Sequence, residues 1–247
     1  MIHRGRNRYR THLGIPSNHG VDLFLQQGTK QEIQEESDGM ILRWRDQSGN
    51  DNHAFQEDTE TQAKQTTDGG ADFEEGDGDH YDLDSQIAVS SQHSFAVWFV
   101  LKTEDLTGNR TLLGLNNTQH FLELKGGGDS IRVKTSTTTT QISPGDGTQD
   151  DFVPGEKMVI TLLREGGATG NYRVYKNGFI LSQDSQSAHD GDAEFVTVGV
   201  RNADRYYDGI MYDVVFLDNG STTTIPDYKM NQINAYLCSK HGLFKTS

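Results

Sequence analysis

The sequence predicts an all-β protein, a two-sheet antiparallel sandwich with one short helix close to its C-terminus. Its apolar residues make up 33% of the chain and fall in short clusters rather than in one long run. Glycine is abundant (27 residues) and proline is scarce (4 residues). This pattern is typical of many short strands joined by turns, which bury their apolar faces by packing two sheets together. A chain of 247 residues is long enough to form a substantial core.

Residues 94–101 form the strongest predicted strand because every position after Ser94 is apolar. A strand that is apolar on both faces belongs in the centre of a sheet that is covered on both sides. Residues 172–175 alternate between the two faces and are followed by Asn177-Gly178, a typical type I′ hairpin turn. Segments 28–38 and 57–70 are polar and are predicted to be loops. The other predicted strands are 21–25, 40–44, 71–73, 80–83, 111–115, 120–125, 131–135, 157–163, 179–181, 194–200 and 210–217.

One helix is predicted near the C-terminus. Pro226 and Asp227 suit its first turn, and Gly242 suits the position just after its end. Between them, apolar residues recur at the i, i+3 and i+7 spacing of one helix face, at Met230, Ile233 and Leu237.

The charge distribution separates the first 20 residues from the rest of the chain. Residues 1–20 contain four arginines and no acid, whereas the whole chain has a formal charge of −14. In an extended arm these side chains share one face because a strand has a period of two. We therefore predict a basic arm over residues 1–20, which docks on a partner, and a sandwich domain over residues 21–247; a disordered tail is the alternative. The docking residues are Arg4, Arg6, Arg8 and Arg10.

Composition also argues against several classes of partner. Strong negative charge disfavours nucleic acid, whose phosphates would be repelled. No apolar run approaches the ~20 residues of a membrane span, so we expect no membrane insertion. The first ten residues lack the apolar core of a secretory signal, which predicts synthesis in a host cytoplasm. A single cysteine, Cys238, excludes an internal disulfide.

The polar loop after the predicted strand 40–44 is the most specific stretch of the sequence. Its short polar side chains have two alternative roles. They can cap backbone amides, or they can offer oxygen atoms to Ca²⁺, which takes six to eight oxygen ligands. If the side chains cap backbone amides, the protein requires no cofactor. If the loop binds Ca²⁺, the predicted ligands are Asp46, Asn50, Asn52 and Asp213.

Residues 44–54 read Trp-Arg-Asp-Gln-Ser-Gly-Asn-Asp-Asn-His-Ala. They resemble the W-x-D-x-S-G-N-G-N-H motif of concanavalin A-like, laminin-G-type jelly-roll domains. Four further segments follow the family's order, at 21–25, 71–83, 174–178 and 207–243, so that the resemblance covers about residues 21–243. It implies a jelly-roll sandwich of a kind common in bacteriophage and marine viral structural genes. Asp51 replaces the motif's second glycine, and Tyr212 stands where calcium-binding relatives often have an acid.

Some relatives in this family cleave glycans with two carboxylates about 5 Å apart. The acid clusters at 57–60 and 74–79 fall in predicted loops instead, so we predict that the protein is not an enzyme. We predict a virion structural or decoration protein that forms a homo-oligomer or is present in several copies, and that contacts other virion proteins through its arm. A lectin module for a host surface glycan is the alternative, and a glycan hydrolase ranks third. Exposed aromatics that could stack on a sugar are predicted in the cluster Arg205, Tyr206, Tyr207 and Asp208.

Overall fold

The computed structural model describes residues 20–26, 33–35, 38–115, 117–127, 130–136, 139–143, 152–168, 170–183 and 191–244. Within these residues two antiparallel sheets pack face to face, accompanied by a two-stranded ribbon and one helix. The predicted all-β sandwich with a C-terminal helix is therefore confirmed. Residues 1–19 of the predicted arm lie outside the described residues, and with them the predicted docking residues Arg4, Arg6, Arg8 and Arg10.

The described chain contains nineteen strands and one α-helix. In chain order they are β1 (Leu23–Leu25), β2 (Ile33–Glu35), β3 (Ile41–Trp44), β4 (Ala54–Phe55), β5 (Lys64–Gln65), β6 (Ala71–Phe73), β7 (Tyr81–Val89), β8 (Phe95–Thr103), β9 (Arg110–Leu115), β10 (Asn117–Leu124), β11 (Ile131–Lys134), β12 (Thr139–Ile142), β13 (Met158–Arg164), β14 (Tyr172–Lys176), β15 (Phe179–Gln183), β16 (Ala193–Val198), β17 (Val200–Arg201), β18 (Arg205–Tyr206), β19 (Gly209–Asp218) and α1 (Asp227–Lys240). Thr59–Thr61 forms a 3₁₀ turn.

The two sheets differ in size and in what covers them. The eight-stranded sheet has the order β15-β14-β13-β8-β19-β6-β5, with β1 also paired to β19. The nine-stranded sheet has the order β12-β11-β10-β9-β16-β7-β4-β3-β2, and β17 pairs with β18 in a separate ribbon. The main core lies between the two sheets, and a second apolar cluster lies between the eight-stranded sheet and α1.

Strand β8 shows why the eight-stranded sheet is covered on both sides. Phe95, Val97 and Phe99 point into the core between the sheets. Ala96 and Trp98 point to the opposite face and pack in the cluster that includes α1. A strand with alternating side chains can be apolar at every position only when both of its faces are buried. The central position predicted for this segment is confirmed.

Two predicted loops contain strands. Segment 28–38 includes β2, and segment 57–70 includes β5. Both strands are short, and β5 consists of two polar residues, so neither has an apolar periodicity that a sequence pattern could reveal. Their pairing comes from the backbone, which bonds β2 to β3 and β5 to β6. Within the described residues, no helix has both the length and the apolarity needed to cross a bilayer.

Candidate functional site

The loop at residues 46–52 is held together by hydrogen bonds to Asp46. Oδ1 of Asp46 accepts from the backbone nitrogens of Phe24 (2.8 Å) and Ser48 (2.9 Å). Oδ2 accepts from Ser48 Oγ (2.6 Å) and from the backbone nitrogen of Asn52 (3.1 Å). Each oxygen therefore receives two donors from the chain itself, which is the geometry of the capping alternative.

The amides of the same loop join it to distant strands. Asn50 Nδ2 donates to the carbonyl oxygens of Val21 (3.2 Å) and Asp22 (3.1 Å), next to β1. Asn52 Oδ1 accepts from the backbone nitrogen of Ser85 in β7 (2.7 Å). These contacts connect strands of both sheets, so the loop fixes a corner of the sandwich.

Asp213, the fourth predicted calcium ligand, makes its contacts at α1. It is fully buried, and its carboxylate oxygens lie 2.8 and 2.9 Å from Lys240 Nζ. One of these oxygens also lies 2.8 Å from His241 Nε2. The partners of Asp213 and those of Asp46 are separate sets, so the structure does not gather the four predicted ligands around one point.

The residues of the predicted glycan-binding cluster at 205–208 differ in how deeply they are buried. Tyr207 is fully buried and packs edge-on against Phe73, with ring centroids 5.8 Å apart. A core ring cannot stack on a sugar, so the predicted role of Tyr207 is wrong. Arg205 and Tyr206 are half-buried in β18, and the Tyr206 hydroxyl donates to the carbonyl of Ala203 (3.1 Å).

Asp208 instead belongs to a trio of acids around a buried arginine. One carboxylate oxygen each from Glu75, Asp105 and Asp208 lies within 4.8 Å of the others. Arg110 lies among them: Nη1 is 2.6 Å from Glu75 Oε2, while Nη2 bonds Asp105 and lies 3.7 Å from Asp208 Oδ2. Hydrogen bonds from Thr107 and, to a smaller extent, from Arg110 lower the pKa of Asp105. Burial raises the pKa of Asp208.

The acid trio has the spacing of paired glycosidase carboxylates, which are about 5 Å apart in retaining enzymes. Two of its members, however, are already paired with the Arg110 guanidinium. A general acid must hold a proton, and a neighbouring guanidinium favours the ionised carboxylate instead. Glu75 and Asp105 therefore have a structural explanation as the counter-charge of one buried arginine.

A cleft of about 630 Å³ lies between the β14–β15 hairpin and α1. We call it the hairpin–helix cleft. Its rim is apolar and exposed: Phe179 is 78% exposed, Ile180 52% and Phe244 55%. Lys176 and Glu156 also line it and form an ion pair at 3.1 Å. The lining also includes amides and small or apolar side chains, at Asn177, Leu181, Asn231, Asn234, Ala235 and Cys238.

Asn234 is the most deeply buried amide of the cleft, at 4% exposure. Its Oδ1 accepts from Trp98 Nε1 (3.0 Å) and from Thr161 Oγ1 (2.9 Å). Its Nδ2 has no hydrogen-bond partner among the described residues. A buried donor without a partner costs about 1–3 kcal/mol, so this amide is unusual.

Sequence reasoning missed this cleft. The sequence pattern places Phe179 only in the predicted strand 179–181, and it does not distinguish Asn234 as a site residue. The available signals were weak: a large apolar residue directly after the Asn177-Gly178 turn, and an amide next to Ile233 on the apolar face of the helix.

Comparisons with known proteins bear on the fold. No protein-family model and no curated protein matches the chain. The binding domain of botulinum neurotoxin serotype D is similar, with a TM-score of 0.53 and 14% identity over 88% of this chain and 51% of that chain. The binding domain of botulinum neurotoxin DC in complex with SialylT has a TM-score of 0.51 and 11% identity, over 90% and 52%. The binding domain of Paraclostridial mosquitocidal protein 1 has a TM-score of 0.51 and 14% identity, over 86% and 52%.

These similarities define the fold class. The chain spans about half the length of the toxin domains that it matches. At 11–14% identity the similarity shows a shared two-sheet β-sandwich.

Proposed function

We propose that the protein is a lectin-like glycan-binding module and that the hairpin–helix cleft is its site. The observation that carries the proposal is the cleft itself. Its volume of about 630 Å³ falls in the usual range of small-ligand sites, roughly 300–1,000 Å³. The exposed rings of Phe179 and Phe244 offer flat apolar faces to a sugar ring, and the amides offer hydrogen bonds to its hydroxyls.

The fold supports this class of ligand. A similar sandwich, the binding domain of botulinum neurotoxin DC, was solved in complex with SialylT. The acid trio does not favour hydrolysis, because Arg110 pairs with Glu75 and Asp105. We therefore propose binding without catalysis. Calcium is not required by the cleft, whose lining includes one carboxylate, Glu156, already paired with Lys176.

A glycan array in the presence and absence of calcium tests the proposal. We expect specific binding under both conditions. Phe179→Ala and Phe244→Ala should each reduce binding roughly 5- to 150-fold, since a lost stacking contact on an aromatic ring costs about 1–3 kcal/mol. Tyr206→Ala is the matched control, because it removes an aromatic ring from the sequence-predicted cluster and should leave binding unchanged. An array with no bound glycan, or a loss of binding confined to Tyr206→Ala, would contradict the proposed site.

We further propose that this module is part of a virion, as a structural or decoration protein docked to other virion proteins. The contrast between four arginines in residues 1–20 and the overall charge of −14 supports docking through the arm. Deleting residues 1–20 should abolish incorporation into particles and leave the circular dichroism spectrum of the domain unchanged. Undiminished incorporation of the truncated protein would rule out this mode of attachment.

A further inference from the structure

A cluster of arginines lies on the outer face of the nine-stranded sheet. We call it the arginine cluster, and its members are Arg132 of β11 and Arg201 and Arg205 of the β17–β18 ribbon. Phe121 and Glu123 of β10 alternate with core leucines, so their side chains point away from the core. The ribbon lies on this same face, since a Cβ on Gly114 of β9 would be 2.9 Å from Arg201 Cβ.

The charges in this cluster do not balance. Among the described residues, Glu123 is the only acid within ion-pair distance of Arg132 or Arg201. It is fully buried, and its carboxylate accepts hydrogen bonds from Arg132 Nη1 (2.6 Å) and Arg201 Nε (3.0 Å). One guanidinium is enough to neutralise one carboxylate, so the group keeps an excess positive charge. A charge that is shielded from water is costly unless a counter-charge pairs with it.

Arg205 adds to this excess. It lies directly opposite Arg201 in the ribbon, where side chains of an antiparallel pair share one face and like charges repel each other. Within the described part of the chain, Arg205 forms no ion pair and no side-chain hydrogen bond. Two of the three arginines therefore lack a counter-charge, in a protein whose formal charge is −14.

The unpaired donors of Arg201 can be reached from solvent. Its side chain is only 8% exposed and donates through Nε alone. Nη1 and Nη2 have no partner among the described residues, yet neither is shielded from solvent, so they form the accessible end of the guanidinium. The Phe121 ring holds the group in place, with Arg201 Cζ 4.0 Å and Arg132 Cζ 5.5 Å from its centroid. A fixed guanidinium of this kind matches two oxygens of one anion.

We infer that the arginine cluster is a second binding site, which takes the oxyanion of an acidic sugar, either a carboxylate or a sulfate ester. Such a group accepts hydrogen bonds from both Nη atoms of Arg201 and supplies the missing negative charge. A neutral sugar leaves that charge unpaired. The site is separate from the hairpin–helix cleft, whose strands belong to the other sheet. Only the choice of a sugar as carrier of the oxyanion rests on the proposed function.

Matched pairs of sugars that differ in charge test the inference on the full chain. Methyl glucuronide and the methyl glycoside of N-acetylneuraminic acid are each compared with their methyl esters, and methyl glucoside 6-sulfate is compared with methyl glucoside. In calorimetry, the acid of at least one pair should bind about 10- to 150-fold more tightly, the factor for charge-assisted hydrogen bonds. Added NaCl should reduce this preference. The pair that shows it distinguishes a carboxylate from a sulfate.

Arg201→Lys isolates the two Nη donors. Lysine keeps the positive charge beside Glu123, but it lacks the planar fork that matches two oxygens. The preference for the acid should therefore disappear. Arg43→Lys is the matched control, because Arg43 lies over the Phe55 ring on the same sheet and is already paired with Asp84 at 3.2 Å. This variant should keep the preference.

A second variant covers the case in which Arg201→Lys does not fold. Arg205→Gln removes a half-buried charge that has no ion pair in the described chain, so the fold should persist while the acid binds more weakly. Equal affinity for both members of every pair, or a preference that neither variant reduces, would overturn the inference. Loss of neutral-glycan binding in Phe179→Ala would still support the cleft in that case. A preference for the acid that survives Phe179→Ala supports the second site even if the cleft binds nothing.

Discussion

Side chains that bond backbone amides hold the corner formed by β1, β3 and the loop after them. Asp46 accepts four hydrogen bonds, two of them from backbone nitrogens of Phe24 and Asn52 that are buried. Asp51 lies in the left-handed region, with a φ of 56°. This is the position where the resembling motif has glycine, and aspartate is among the few residues that tolerate this conformation. The departure from the motif therefore preserves the turn.

Asp46→Ala should lower the free energy of unfolding by about 3 kcal/mol, because it leaves buried backbone donors without acceptors. Urea denaturation followed by tryptophan fluorescence measures the effect, since Trp44 is buried in the adjoining strand. Asp38→Ala is the control: its side chain is exposed and accepts one bond of 3.3 Å from the Met40 nitrogen. Similar losses in the two variants would argue against a special role for Asp46.

Asp79 should make stability depend on pH. Burial raises its pKa to about 7, with further contributions from Asp77 and Glu74, although a hydrogen bond from the Glu74 nitrogen opposes the shift. The unfolded chain releases this proton near pH 4, whereas the native protein keeps it until about pH 7. The native state therefore binds more protons in this interval, and its stability falls as the pH rises from about 4 to about 7.

Asp79→Asn keeps the acceptor for the Glu74 nitrogen and removes the titration. At pH 8 it should be more stable than the wild type by up to about 4 kcal/mol; at pH 4 the difference should be small. Urea titrations at both pH values provide the measurement, and the exposed Asp82→Asn serves as control. An advantage of Asp79→Asn that is equal at pH 4 and pH 8 would contradict the assignment.

At the scale of elements, α1 is attached to the eight-stranded sheet by polar contacts as well as by its apolar face. Asn234 bonds Trp98 of β8 and Thr161 of β13 near the middle of the helix. Lys240 and His241 bond the buried Asp213 of β19 at its end. Because α1 forms one wall of the hairpin–helix cleft, these contacts also position the proposed site.

Lys240→Ala should destabilise the protein by about 2–4 kcal/mol, because it removes a partner from the buried carboxylate of Asp213. Hydrogen exchange should become faster in the last turns of α1 before it does so in β8. Lys229→Ala removes the same charge from the first half of the helix and should have a smaller effect. Uniformly faster exchange along the whole chain would show that Lys240 acts on global stability instead.

The elements that can be predicted from sequence are those with a clear apolar pattern. β8 is an unbroken apolar run, β14 alternates and leads into the Asn177-Gly178 turn, and α1 has a helical apolar period; the predicted positions agree with the structure to within a few residues. β5 has no such period because its two residues are polar and depend on pairing with β6. The cleft was not predictable for a different reason: exposure of Phe179 and the unpaired Asn234 donor arise from how the hairpin packs beside the helix. Local sequence carries little information on such packing.

For the molecule as a whole, the excess of acids over bases should make stability depend on salt. The chain has 36 acidic residues against 22 lysines and arginines, and Glu74 and Asp77 are exposed on one acidic turn. Raising NaCl from 20 to 500 mM should increase the Tm by roughly 3–5 °C, because added ions screen self-repulsion. The variant Glu74→Gln/Asp77→Asn should respond less, as measured by calorimetry. A fall in Tm with added salt would contradict this electrostatic account.

β15 ends the eight-stranded sheet and, among the described strands, pairs only with β14. It therefore presents an open backbone edge that carries the exposed Phe179 and Ile180, and such an edge is a template for pairing with another strand. Two copies joined along β15 would extend one sheet across a dimer and cover the residues that are proposed to receive a sugar. Self-association and ligand binding would then compete, and the apparent affinity for glycan would fall as the protein concentration rises.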